Sequence, residues 1–166
     1  MKANASRPAE LVIQIITLLG DTWLPNIYRE RILTTRTRSY HFGELPRNAR
    51  IEIQHTLLGV ELKIGRRRLL CPDLAMARYL SVFARAGCKD VAIPYDITQV
   101  SCIADELESA WQRMLLLIQH HLTNKAARAR IRGLVIAKLR AEIVAAGPGT
   151  AVPEFKRSTR QRQSVD

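Results

Sequence analysis

The sequence predicts an α/β (α+β) protein: a mixed β-sheet of about four strands with flanking helices in the order α-β-β-β-α-β, followed by two C-terminal helices. Three observations carry that expectation. Residues 33–64 hold three short runs in which apolar and polar side chains alternate, the two-residue period of half-buried strands. Four segments, 8–19, 74–86, 101–122 and 124–146, repeat apolar residues every three or four positions, the period of helices packed on one side. Between the third strand and Val91–Ile93 lies a helix of about four turns, and a right-handed crossover of that length lays the two strands parallel in one sheet.

The elements follow in order. Pro8, after Ser6, suits a first helical turn and opens PAELVIQIITLLG, which Gly20 closes. Leu11, Ile15, Leu18 and Leu19 form one face, and Val12, Ile13 and Ile16 leave little polar surface, so burial is expected. Trp23 and Pro25 mark a turn, with NIYRERIL as a short helix or irregular piece. In LTTRTRSYHF, Thr and Tyr favour a strand, and Arg36, Arg38, Tyr40 and Phe42 share one parity. After the loop GELPRN, ARIEIQHT forms a second strand with Ile51 and Ile53 facing one way, Glu52 and Gln54 the other. LLG is a tight turn. VELKI is the third strand, with Val60, Leu62 and Ile64 on one face and Glu61 and Lys63 on the opposite one.

GRRR turns the chain, LLCP continues extended, and Asp73 caps the helix LAMARYLSVFARAG. Met76, Leu80, Phe83 and Ala84 stripe that helix and Gly87 ends it. The fourth strand, Val91 to Ile93, stops at Pro94, which has no amide proton for a ladder. Ser101 or Thr98 caps a long helix striped by Ile103, Leu107, Trp111, Met114, Leu115, Ile118 and Leu122, with Asp105 and Glu106 in its first turn. That stripe is core or the interface of a homodimer through helix 101–122. The last helix, from about Asn124 to Ala146, turns Ile131, Leu134, Val135, Leu139 and Ile143 inward and Arg128, Arg132 and Arg140 outward. GPGTAVP breaks it. The chain thus reads as one globular domain over 1–147, with a C-terminal helical extension at about 101–146, and a flexible basic tail over 148–166.

Composition limits the function. The chain has 166 residues, 47% of them hydrophobic, which suits one soluble domain with a sizeable core. No apolar run approaches the ~20 residues of a membrane span, and MKANASRPAELV lacks the layout of a secretory leader, so a cytoplasmic location is expected. Cys71, Cys88 and Cys102 form no CxxC pair and read as small core residues. His41, His55, His120 and His121 show no ligand spacing. Neither a Gly-rich phosphate loop nor a GxSxG elbow is present, which disfavours NTP hydrolysis and serine-hydrolase chemistry.

Charge is the strongest compositional signal. Lys and Arg number 26 against 15 acids, a formal +11 with pI near 10.3, which points to DNA or RNA first and to an acidic protein or anionic lipid second. Residues 123–166 hold ten of the basic residues against three acids. Arginine's fork matches phosphate oxygens, so Arg36, Arg38, Arg66, Arg67, Arg68, Lys125, Arg128 and Arg132 are the candidate nucleic-acid contacts. Aromatic content is only 5%, which argues against a stacking platform for single strands, with Tyr40 and Phe42, beside Arg36 and Arg38, as the remaining candidates for stacking on bases.

Glu61-Leu62-Lys63 is an ExK tripeptide on the third strand, and ELKIGRRRLLCPDLAMARYLSVFARAG carries it into a helix ending FARAG and then a strand. This arrangement resembles the core of the PD-(D/E)XK restriction-endonuclease-like superfamily, and its layout is similar to the archaeal Holliday junction resolvase branch, over about residues 9–97. The resemblance implies Mg²⁺-dependent phosphodiester cleavage, with Glu52 and Glu61 as metal ligands, Lys63 assisting the attacking water, and Glu10 as a further helix-borne acid. A hard cation suits such oxygen ligands. Two departures stand out: Glu52 occupies the place of the family's aspartate, and Pro72-Asp73 follows the ExK strand, where it reads as a helix start. The tripeptide recurs at Glu154-Phe155-Lys156, so the surrounding elements distinguish Glu61 and Lys63. Two functions follow as expectations: a metal-dependent nuclease or resolvase-like enzyme, and a non-enzymatic DNA- or RNA-binding or assembly protein on the same scaffold.

Overall fold

A computed structural model describes residues 7–46 and 48–149. The tail beyond Gly149, with its second ExK, and Ser6 ahead of the first helix lie outside the described residues. Helix α1 (Pro8–Leu19) starts on its proline and ends at Gly20, whose φ of +52° suits a residue without Cβ. A short 3₁₀ turn leads to α2 (Leu24–Ile27), which runs directly into a π-helical turn, Tyr28–Ile32. Four strands follow: β1 (Thr37–His41), β2 (Ile51–Thr56), β3 (Gly59–Ile64) and β4 (Arg67–Cys71). Helix α3 (Leu74–Ala86), strand β5 (Asp90–Pro94), α4 (Val100–His121) and α5 (Lys125–Ala146) complete the chain.

The fold is α+β, but its strands form two small sheets instead of one mixed sheet. β2, β3 and β4 make an antiparallel meander, while β1 pairs antiparallel with β5. The expected parallel pairing of the third strand with Val91–Ile93 is therefore not made. The physical reason lies on the free edge of β5. There the amide of Ala92 donates to the Tyr28 hydroxyl at 2.9 Å, and the Tyr79 hydroxyl donates to the Ala92 carbonyl. Two buried tyrosines thus satisfy the backbone groups that another strand would have paired. Tyr28 in turn donates to the Gly147 carbonyl at 2.6 Å, fastening the end of α5 to the same place.

A second correction concerns LLCP, of which Leu69, Leu70 and Cys71 belong to β4. Gly65, at φ +59°, and Arg66 form a two-residue hairpin turn that sends Arg67 straight back opposite Ile64. The first strand is also shorter than expected, because residues 33–35 form a turn that follows the π-helical segment.

Capping explains the helix ends. The Asp73 carboxylate accepts from the Met76 amide at 2.8 Å, and Gly87 ends α3 in the left-handed conformation. At α4 neither Ser101 nor Thr98 is the cap. A 3₁₀ turn (Ile97–Gln99), capped by Asp96, feeds the helix one residue earlier, so Asp105 and Glu106 fall beyond the first turn. Asn124 caps α5.

Helix α3 lies between the three-stranded sheet and α4, which is why nearly all its residues after Ala75 are buried. One contiguous cluster joins Ile15, Trp23, Tyr28, Leu62, Phe83, Trp111, Val135 and Leu139, so α4 and α5 share the core of the strands and α3. Arg78 clamps α3 to α4 through Glu108 at 2.9 Å and through Asp105. The Trp23 indole donates to Glu142 at 2.9 Å, tying α5 to the N-terminal elements. No helix among the described residues is long and apolar enough to cross a membrane.

Candidate functional site

The outer face of the β2–β3–β4 meander follows from alternation. Leu62 and Ile64 point inward and are fully buried, so their neighbours on β3 must point outward. Register then puts Glu52 directly opposite Lys63, and Lys63 opposite Arg68. Glu61 sits one rung along, between Gln54 and Leu70. The hairpin therefore brings Glu52, Glu61 and Lys63 to one face, with the two carboxylates as diagonal neighbours roughly 7–8 Å apart at their bases. Two glutamate side chains can close that span.

The two carboxylates differ in their surroundings. Glu52 is paired with Arg50, Nε to Oε1, at 2.5 Å. Glu61 has a buried Oε2 with no hydrogen-bond partner among the described residues. A buried carboxylate oxygen lacking a donor is an acceptor that a cation would satisfy, and a magnesium ion commonly takes only one or two carboxylates, the rest being waters and phosphate oxygens. Carboxylate oxygens are the donor type that a hard divalent ion takes. Glu10 lies apart, exposed in the first turn of α1, whose main neighbours are α4 and α5. No three His, Cys, Asp or Glu residues among those described stand within reach of a common ion.

The candidate phosphate contacts divide into two groups. Arg38, Arg66, Arg68, Lys125 and Arg132 are exposed, as is Arg36, whose guanidinium lies 4.5 Å above the Tyr95 ring. Arg67 and Arg128 serve the fold instead. Arg67 donates to the Phe42 carbonyl at 2.6 Å and the Glu44 carbonyl at 3.3 Å, holding the β1–β2 loop. Arg128 donates to the carbonyls of Leu122 and Gln119, closing the end of α4, as Arg140 does for α3 through Ala86 at 2.9 Å. Leu134, expected inward, is 41% exposed on α5.

Two further expectations change. The Trp111 stripe of α4 is packed within its own chain, with Trp111 only 3% exposed, so it is unavailable as a dimer face. Phe42 is buried and Tyr40 packs edge-on against it at 5.0 Å, so neither offers a free ring. The exposed aromatic among the described residues is instead Tyr95. Its signal was its place directly after the strand-ending Pro94, where a side chain escapes the sheet. Among the cysteines, burial pushes the Cys88 thiol up to about 12 and raises Cys71 as well, which leaves both protonated and unreactive at neutral pH.

Compared with known proteins, the chain matches no family model, no curated protein and no solved structure.

Proposed function

We propose that this protein binds nucleic acid through an exposed basic surface. The observation that carries the reading is the state of the free basic residues: Arg36, Arg38, Arg66, Arg68, Lys125 and Arg132 are exposed, and none is ion-paired with a described acid. The ion pairs engage other bases, namely Arg29, Arg31, His41, Arg50 and Arg78. Six phosphate contacts imply a loss of affinity of roughly a thousand-fold between 50 and 200 mM salt. Fluorescence anisotropy on a labelled duplex tests this, and affinity indifferent to salt would end the proposal. Removing residues 150–166 should weaken binding further through loss of Lys156, Arg157, Arg160 and Arg162. The cut belongs after Gly149, which packs so closely on Thr37 and Ala92 that a side chain would not fit there.

A second reading, metal-dependent phosphodiester cleavage on a restriction-endonuclease-like core, is favoured by the unpartnered Glu61 oxygen. Glu52 and Glu61 would hold the ion, which when bound supplies charge stabilisation and a more acidic water. Lys63, beside both carboxylates, would orient that water and offset charge on the scissile phosphate. Incubating the protein and Glu61→Ala with linear, single-stranded and four-way DNA in Mg²⁺ or Mn²⁺ tests it. Intact DNA throughout, or equal cutting by the variant, removes the nuclease reading and leaves the binding one.

A further inference from the structure

The open end of the β1–β5 ribbon carries a second arrangement that the carboxylate face does not use. Tyr95 is 51% exposed and is the only exposed aromatic among the described residues. Its amide donates to the Arg36 carbonyl at 2.8 Å, the last rung of the ribbon, while the Arg36 guanidinium covers its ring. That rung holds together the two chain segments next to it, Thr34–Thr35 and Thr98–Gln99. These four residues, with Glu30, Arg31, Cys102 and Ile103, line a cavity of about 430 Å³.

The lining mixes apolar surface with several hydrogen-bonding side chains, the apolar wall with a few polar groups that is usual in small-molecule pockets. Thr34 donates its hydroxyl proton to Glu30, Thr35 to Ile32 and Thr98 to Asp96, so each presents oxygen lone pairs. The Gln99 side-chain amide has no partner among the described residues and offers both a donor and an acceptor. Part of the wall, Arg31, comes from the π-helical turn, a distortion common at functional sites. Arg38, exposed two residues from Arg36, can take a phosphate.

We infer that this end of the ribbon binds single-stranded nucleic acid, stacking an unpaired base on the Tyr95–Arg36 pair and receiving a base edge in the adjoining cavity. A planar ring with a cation above it, a hydrogen-bonding hollow and a nearby arginine are the groups that recognise an unstacked base and its phosphate. A duplex keeps its bases stacked and has nothing to offer the cavity. The inference rests on the nucleic-acid reading above and specifies the form of the ligand.

The test compares a labelled single strand of about 16 nucleotides with its own duplex. Anisotropy at one salt concentration would be read for the full chain and for Tyr95→Ala, Tyr95→Phe and Gln99→Trp, with circular dichroism confirming the fold. Tyr95→Ala should weaken single-strand binding roughly ten-fold while duplex binding changes little, and Tyr95→Phe should keep the parental affinity. Gln99→Trp, which fills the cavity, should also weaken only the single strand. Equal loss on both forms, or no loss with Tyr95→Ala, overturns the inference and leaves the basic-surface reading intact. If the parent binds neither form, both readings fall.

Discussion

Replacing Glu61 with leucine should make the protein more stable. The Glu61 Oε2 atom is buried and unpartnered, a condition that costs about 1–3 kcal/mol. A leucine there faces Leu70 directly across β4, and such a cross-strand apolar pair adds roughly 0.2–1 kcal/mol. The gain, about 1–4 kcal/mol in all, corresponds to a melting temperature raised by roughly 3–15 °C for a chain of this size. Urea denaturation followed by far-UV circular dichroism measures it, with Glu52→Leu as the control. Glu52 already has Arg50 as a partner, so its replacement should lie within about 0.5 kcal/mol of the parent. If Glu61→Leu lost about 1 kcal/mol or more, Glu61 would have to be held by an ion pair, with Lys63 the nearest base along the strand, and its free oxygen could no longer support a metal reading. Should the protein also cut DNA, the same variant should be more stable and inactive, the combination expected of a residue kept for chemistry.

Two further outcomes follow from the structure. Burial pushes the Tyr28 phenol up to about 12, although the Ala92 amide pulls it back in part, so the folded chain holds that proton more tightly than the unfolded one. Its contribution is complete below pH 10.0, the ordinary value, and is lost as pH rises towards about 12, at roughly 1.4 kcal/mol per pH unit. Buried Cys88 acts in the same direction from 9.0 upward. Tyr28→Phe should therefore flatten the alkaline limb of a stability–pH curve by about one proton, and an unchanged slope would place the titrating group elsewhere. Gly87→Ala puts a Cβ at φ +75° and 3.0 Å from the Arg140 guanidinium, so a loss of about 1–3 kcal/mol is expected in the same denaturation assay. Gly133→Ala, in mid-helix with nothing near the added carbon, should gain up to about 1 kcal/mol, and equal shifts for the two would refute the conformational argument.

Local features of this fold were legible in the sequence because they depend on neighbours in the chain. Asp73 capping α3, Gly87 ending it and the outward pair Glu61 and Lys63 follow from side-chain chemistry and strand alternation. Pairing between distant strands was not legible. The edge of β5 is occupied by hydroxyls from Tyr28 and Tyr79, 64 and 13 residues away, and nothing local distinguishes such a tyrosine from ordinary core. Arginine reach is not legible either. Arg67 and Arg128 looked like free cations, yet each crosses to carbonyls of another segment, because a long, many-donor side chain satisfies loop and helix ends as readily as phosphate. Tyr95 lies outside the strand alternation that marks Tyr40 on β1, because the ring that escapes burial follows the proline ending β5.

This division among the arginines also shapes how the protein would meet a polyanion. Arg67, Arg128 and Arg140 donate to neutral carbonyls, so their hydrogen bonds are used while their charges remain uncancelled. Arg29, Arg31, Arg50 and Arg78 are offset by carboxylates and add little field at a distance. The long-range attraction therefore reflects the whole +11, whereas the ions released on binding count only the exposed residues that touch phosphate. Encounter should accordingly be steered by more charge than the bound complex employs. Neutralising Arg128 would slow association while leaving the equilibrium salt slope nearly unchanged, whereas neutralising Arg68 would lower that slope by about one contact.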